Sequence, residues 1–266
     1  MIDTHTHLYL PEFQDDIDEV VARARGAGAA CCWLPAIHAD SLAAMDSLDE
    51  RFPGFFRLFA GLHPTEIDDN YPEQLRLIRA ALDSGRYTGI GEIGMDLYWD
   101  TSRRQQQESV LRTQLDWAIQ LDLPVLLHVR NAFDETLAIV REYYSKGLRG
   151  VFHCFSGTLE QAREIVEHGF YLGIGGSITY KNSLQRGFIN QIPLTSIVVE
   201  TDSPYLSPVP FRGKRNESAH VAYVIRALAD LYGFEADFVE KQTQENAICL
   251  EIQKNIVRFL LKQFLS

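Results

Sequence analysis

Short apolar runs alternate with longer amphipathic stretches along almost the whole chain, and this rhythm sharply limits the folds open to it. Strand-like runs lie at Met1–Thr4, Cys31–Pro35, Phe56–Leu62, Thr88–Ile93, Pro124–His128, Gly150–Phe155, Phe170–Ile174 and Ile197–Thr201. Helical patterns fill the gaps at Asp15–Ala27, Ala39–Phe52, Pro72–Gly85, Arg103–Leu121, Ala132–Lys146, Leu159–His168, Ser183–Ile192 and Ser218–Leu231. In the first of these, Ile17, Val20, Val21 and Ala24 repeat with the helical period. Thr158-Leu159-Glu160-Gln161 reads as a capping box opening a helix. Eight strand–helix units in 266 residues average roughly 33 residues each, the size of a (β/α)8 unit. The expected fold is therefore α/β, a single TIM barrel spanning residues 1–266, with residues 245–266 as a terminal helix outside the eight units. An open doubly wound sheet is the runner-up. It usually carries a Gly-rich phosphate turn after its first strand, and here that turn reads His5-Thr6-His7.

Composition narrows the function. Apolar residues make up 46% and charged residues 23%, which excludes wholesale disorder. A net charge of −11 argues against a protein that coats nucleic acid by bulk attraction. It leaves open an enzyme that holds phosphate through metal ions. The N-terminus has no basic and apolar leader, and no apolar run reaches the ~20 residues a membrane span needs. Cys31, Cys32, Cys154 and Cys249 are few and irregularly spaced, as in a reducing compartment. A cytoplasmic monomer, with no membrane and no obligate protein partner, is expected.

Metal-competent side chains fall where the predicted strands end, and in a barrel those ends converge on one mouth. His5 and His7, two apart on extended chain, face the same side and can share a divalent ion; a pair of surface histidines is the competing reading. Glu92 ends an apolar strand between glycines, and a buried carboxylate needs a partner to stay charged. Asp96 follows, as a supporting residue or a helix cap. His128 and His153 end two successive apolar strands. Glu200 and Asp202 close the eighth strand with the same facing. Asp202, nearer the mouth, is expected to be a ligand and Glu200 a structural partner, with a basic side chain as a candidate for it to hold.

The candidate ligands are thus His5, His7, Glu92, His128, His153 and Asp202. They exceed one tetrahedral zinc site and suit two divalent ions roughly 3.5–4 Å apart. Glu92 would bridge, with His5, His7 and Asp202 on one ion and His128 and His153 on the other. Zinc or manganese fits imidazole and carboxylate, and magnesium alone fits less well. His63 is one histidine too many for the ions and reads as a phosphate contact or proton donor, against a structural turn histidine.

Together Ile2–Leu8, Gly61-Leu62-His63-Pro64, Gly91-Glu92-Ile93-Gly94, Leu127-His128, His153-Cys154-Phe155-Ser156-Gly157 and Glu200-Thr201-Asp202-Ser203-Pro204 resemble the TatD family of metal-dependent hydrolases. Arg212-Gly213-Lys214-Arg215-Asn216-Glu217 is similar to the family's loop after the last strand. Ser218-Ala219-His220 departs from it, at a helix start rather than at a ligand. The resemblance implies a TIM barrel of the amidohydrolase superfamily, a one- or two-metal site and DNase activity, often 3′→5′ exonuclease on single strands or 3′ ends. Some members act on other substrates, D-aminoacyl-tRNA among them, so a deacylase or another ester or amide hydrolase is the alternative. The lysine that bridges metals on the fourth strand of many amidohydrolases is absent.

The chemistry expected is attack on phosphorus by a metal-activated hydroxide, with Glu92, Asp202 and His63 in catalytic roles. Arg212, Lys214 and Arg215 lie in the loop after the eighth strand, where barrels often bind phosphate, or form a solvated surface loop. Tyr98, Trp99 and Tyr180 lie in mouth-side loops and could stack on terminal bases, although such aromatics are more often packed.

Overall fold

A computed structural model describes the backbone of residues 1–264 and the side chains of residues 1–251. Its strands are β1 (Ile2–Asp3), β2 (Cys31–Pro35), β3 (Phe56–Phe59), β4 (Ile90–Asp96), β5 (Val125–Arg130), β6 (Gly150–Phe152), β7 (Tyr171–Ile174) and β8 (Ile197–Val199). All neighbouring pairs run parallel, in the orders β1-β2-β3 and β4-β5-β6-β7-β8. Both seams between these sheets carry backbone hydrogen bonds. Thr4 N donates to Val199 O at 3.0 Å and Asp202 N to His5 O at 2.9 Å; at the other seam Thr88 N donates to Leu58 O at 2.8 Å and Ala60 N to Gly89 O at 3.2 Å. The strands therefore form a ring in sequence order, as the unit count predicts.

The helices are α1 (Ile17–Gly26), α2 (Ser41–Arg51), α3 (Tyr71–Asp83), α4 (Arg104–Leu121), α5 (Phe133–Arg141), α6 (Leu159–Glu167), α7 (Val221–Tyr232) and α8 (Ala236–Phe264). Helix α6 opens on the Thr158/Gln161 capping box. Two expected helices differ. The stretch 183–192 folds into short 3-10 turns rather than an α-helix. Gly187 weakens the helix, Pro193 ends it, and the Tyr232 hydroxyl lies 2.6 and 2.8 Å from the carbonyls of Ile189 and Ile192. The terminal helix starts at Ala236, nine residues before the expected 245. Residues 265 and 266 of that expected helix lie outside the described residues.

Side-chain alternation separates two apolar layers. Cys32, Leu34, Val125, Leu127, Phe152, Ile197 and Val199 pack outward with the helices. Ile2, Cys31, Trp33, Phe59, Leu126, Val151 and Val198 form a second cluster with Ala247 and Leu250 of α8. Helix α8 thus covers the end of the barrel where the strands begin, and Trp33 Nε1 donates to Glu251 Oε1 at 2.8 Å. The opposite end is left to polar residues. Leu250→Ala should leave a cavity under this floor and lower the unfolding free energy by about 2–5 kcal/mol, measured by denaturant titration.

Candidate active site

Carrying the inward alternation of Leu126, Val151 and Val198 two residues further reaches His128, His153 and Glu200, all at the mouth. Glu92 needs a different device. Ile90 and Ile93 both pack in the outer layer, which unbroken alternation would forbid. The register between β4 and β5 shifts between these residues, and the extra residue of this bulge turns Glu92 into the barrel. Gly94, at φ +148°, lies so close to β5 that a Cβ there would strike the His128 carbonyl.

The structure brings all the candidate ligands together around Glu92. Its two oxygens face different groups. Oε2 lies 3.1 Å from His5 Nε2 and 3.5 Å from His7 Nε2. Oε1 lies 2.9 Å from His128 Nδ1, 3.5 Å from His63 Nε2 and 3.7 Å from His153 Nε2. Asp202 Oδ1 is 3.5 Å from His7 Nε2, 3.7 Å from His153 Nε2 and 3.9 Å from His5 Nε2. The Nε2 atoms of His5 and His7 are 3.2 Å apart.

Partners on the far sides of the rings decide which nitrogens are basic. Tyr9 donates its hydroxyl proton to Pro35 O at 2.8 Å, so it accepts from His7 Nδ1 at 3.0 Å. His153 Nδ1 lies 2.9 Å from Glu200 Oε1, which also accepts the Cys154 N–H. His128 Nε2 lies 3.1 Å from Asp96 Oδ2. In the neutral rings these contacts leave lone pairs on His7 Nε2, His153 Nε2 and His128 Nδ1, all aimed at Glu92 or Asp202. Such outer partners commonly orient metal-binding histidines. His5 Nδ1 has no partner among the described residues. His63 is set the other way: its Nδ1 accepts the Thr65 backbone N–H at 3.2 Å. The Thr65 hydroxyl also contacts Nδ1, at 2.7 Å; with Nδ1 accepting, the ring proton sits on Nε2 and faces the cluster.

Burial works against Glu92's charge, but the surrounding imidazoles hold its carboxyl well below the usual range. Burial likewise opposes the charge on His153, yet Glu200, Glu92 and Asp202 outweigh it and pull the imidazole up to about 10. Burial and the nearby His153 push His5 down, towards its neutral, ligand-competent form. Imidazole nitrogens and carboxylate oxygens packed this tightly, with outward ring atoms tied down, are a donor set that fits a transition-metal ion.

Glu200 and Asp96, expected as supporting residues, each hold a histidine. Glu200 has room because Gly173 beside it lacks a side chain; a Cβ there would come within 2.3 Å of its carboxylate. Arg212 and Lys214 lie in the loop after β8. Arg212 stacks over Tyr180 with its guanidinium 4.4 Å from the ring centre. Arg215 is not brought to the cluster: it pairs with Asp16 and donates to Glu12 O at 2.6 Å.

Sequence reading missed four supporting groups. Asp3 accepts from Thr201 N at 2.9 Å and Thr201 Oγ1 at 2.7 Å, locking the first strand to the last. Tyr9 orients His7. The two-residue spacing Asp3, His5, His7, Tyr9 was the available signal. On α4, Gln107 binds both N and O of Asp96, and Gln114 binds both N and O of Leu62, next to His63. Their seven-residue spacing on one helix face was visible, but glutamine on a helix usually means solvent.

Comparison with known proteins places this architecture. Residues 2–250 match the model of the TatD related DNase family. The chain is 33% identical over 249 residues to the uncharacterized metal-dependent hydrolase YabD of Bacillus subtilis, covering 93% of this chain and 97% of that protein. It is 31% identical to the 3′-5′ ssDNA/RNA exonuclease TatD of Klebsiella pneumoniae, covering 92% and 95% of the two chains. The crystal structure of YjjV, a TatD homolog from Escherichia coli, superposes with a TM-score of 0.89 at 32% identity, over 94% of this chain and 97% of that one. With its parallel barrel and mouth-side imidazole–carboxylate cluster, this chain belongs to the TatD family of metal-dependent hydrolases.

Proposed function

We propose that this hydrolase cleaves phosphodiester bonds of single-stranded DNA from the 3′ end, acting as a cytoplasmic monomer with two divalent ions. One observation carries the reading: the two oxygens of Glu92 face two separate sets of nitrogens, with His63 Nε2 beside them at 3.5 Å. His5, His7 and Asp202 would hold one ion, His128 and His153 the other, with Glu92 between them. Zinc, manganese or magnesium could serve. Bound divalent ions supply a lowered water pKa and neutralise phosphate charge.

The chain's own residues do the rest. Asp202, its charge opposed by burial but kept ionised by His153 and His7, accepts the proton of the attacking water. His63 donates its Nε2 proton in a hydrogen bond to a non-bridging phosphate oxygen. The bond from phosphorus to the leaving 3′-oxygen breaks as the new P–O bond forms. Arg212 and Lys214 add positive charge at the mouth. Arg215, held by Asp16, would reach phosphate only by giving up that pair. The exonuclease named among the relatives supports this substrate.

The deciding experiment is metal analysis of the purified protein, then assay on 5′- and 3′-blocked single-stranded oligonucleotides beside a D-aminoacyl-tRNA. Cleavage of the 5′-blocked strand and protection of the 3′-blocked one is the expected pattern. Deacylation without DNA cleavage would replace the nuclease by a deacylase. Glu92→Ala should lose metal and fall to background turnover while its circular dichroism stays native; near-normal turnover would defeat the bridging role. His63→Ala should keep its metal content and lose about 10²–10³-fold in kcat, the usual effect of removing one donor to a developing anion. Chelation should abolish activity and lower Tm, with both restored by added metal.

A further inference from the structure

The turn after β4 carries two conspicuous aromatic side chains: Trp99 is 70% exposed and Tyr98 51%. Large aromatic surfaces are costly to leave in water, and much of both rings stays open to it. The turn is nonetheless well held. Tyr98 N and Trp99 N donate to Asp96 Oδ1 at 2.9 and 3.4 Å. The two rings meet edge to face with centroids 4.8 Å apart. The Arg130 guanidinium lies 3.8 Å from the Tyr98 ring centre and 5.2 Å from that of Trp99. Leu97 N donates to Arg130 O at 3.0 Å, tying the turn to the end of β5.

Two features connect this turn to the candidate site. Asp96 uses one oxygen for the turn and the other for His128 Nε2, at 3.1 Å, so one carboxylate fixes both. Arg130 lies two residues beyond His128 on the same strand and pairs with no carboxylate among the described residues. A flat aromatic face beside an unneutralised guanidinium suits a ligand with a π-face and a negative charge. A nucleotide has both; an unpaired base offers its face freely, whereas within a duplex the faces are stacked on neighbouring pairs.

We propose that Tyr98, Trp99 and Arg130 form a nucleotide subsite in which Trp99 stacks on an unpaired base of the single-stranded substrate and Arg130 faces its phosphate. The proposal rests on the phosphodiesterase reading and adds where the strand is gripped. It accounts for two largely exposed rings on a turn whose backbone Asp96 holds.

Two measurements test it. The first is tryptophan emission of the metal-loaded protein titrated with a phosphorothioate single-stranded oligonucleotide and with the matching duplex. The single strand should quench and the duplex should not. Trp99→Phe, which leaves only Trp33 and Trp117 emitting, should show no quenching. The second is KM for oligonucleotides carrying one abasic residue at each of the last three positions. In the native protein one of these should raise KM roughly 5- to 150-fold, the effect of losing one stacked base. In Trp99→Ala the intact and abasic strands should converge, and Trp99→Phe should restore most of the difference. Full discrimination by Trp99→Ala, or unquenched Trp99 emission, would overturn the subsite while leaving the nuclease reading in place. Quenching by single strands in a protein that cuts none of them would overturn the nuclease reading and keep the subsite as a binding site.

Discussion

A carboxylate buried at the centre of a ring of imidazoles is the constraint around which this molecule is arranged. Glu92 is 3% exposed, and an unpaired charge at such depth would cost several kcal/mol. The neighbouring backbone makes concessions to keep it there. A bulge interrupts β4 to turn it inward, Gly94 lets β5 approach, and strands on both sides of the ring bring imidazole nitrogens to within 3.7 Å of it. Each imidazole that faces Glu92 sets its other nitrogen against a polar neighbour, His153 by a close contact with Glu200 and His5 alone with none. The polarity of the cluster is therefore set by Tyr9, Asp96, Glu200 and the Thr65 backbone as much as by the histidines.

The two ends of the barrel divide the work. At the start of the strands, Trp33, Phe59, Leu126 and Val151 meet α8 and exclude water. At the finish, the same inward positions carry His128, His153 and Glu200. A strand two residues longer than its apolar part therefore delivers a polar group to the mouth while its outer face continues to pack on helices. This is why the chemistry can sit on rigid elements: His128 lies within β5, and Asp96 ends β4 with its backbone clasped by Gln107. Stability and reactivity use different residues of the same strands, so the floor can be perturbed without touching the mouth.

How much of this could be read from the sequence follows from that division. The strand positions and the residues that meet around Glu92 were legible, because strand-end placement is a local property of apolar runs. Alternation alone would have misplaced Glu92, since it shares parity with the outward Ile90; the bulge that rescues it is a tertiary event between β4 and β5. The missing helix at 183–192 has a partly local cause, Gly187 within it and Pro193 at its end; the distant Tyr232 then holds the Ile189 and Ile192 carbonyls in the turns that replace it. Arg215 shows the limit for charged residues. Its place in a basic loop suggested phosphate, but Asp16, some two hundred residues earlier, already holds it. The histidine tautomers were out of reach of any pattern, because they depend on Tyr9, Asp96, Glu200 and a backbone N–H.

The charge distribution bears on how an acidic protein could work on a polyanion. Most arginines at the surface are neutralised locally: Arg23 by Glu217, Arg86 by Asp46, Asp49 and Glu50, Arg112 by Glu142, Arg141 by Glu164 and Arg215 by Asp16. Arg130 and Arg212 are different. Arg130 ends the fifth strand and Arg212 lies in the loop after the eighth; they lie over the Tyr98 and Tyr180 rings and pair with no carboxylate among the described residues. Long-range steering is therefore weak in a chain of net charge −11, and affinity has to come from contacts made at the mouth itself. Stacking and metal coordination are short-ranged and little screened by salt, whereas binding through many phosphate contacts weakens steeply as salt rises. A strand end fed into such a mouth would be gripped over few nucleotides, as the proposed exonuclease needs and a protein that coats nucleic acid does not.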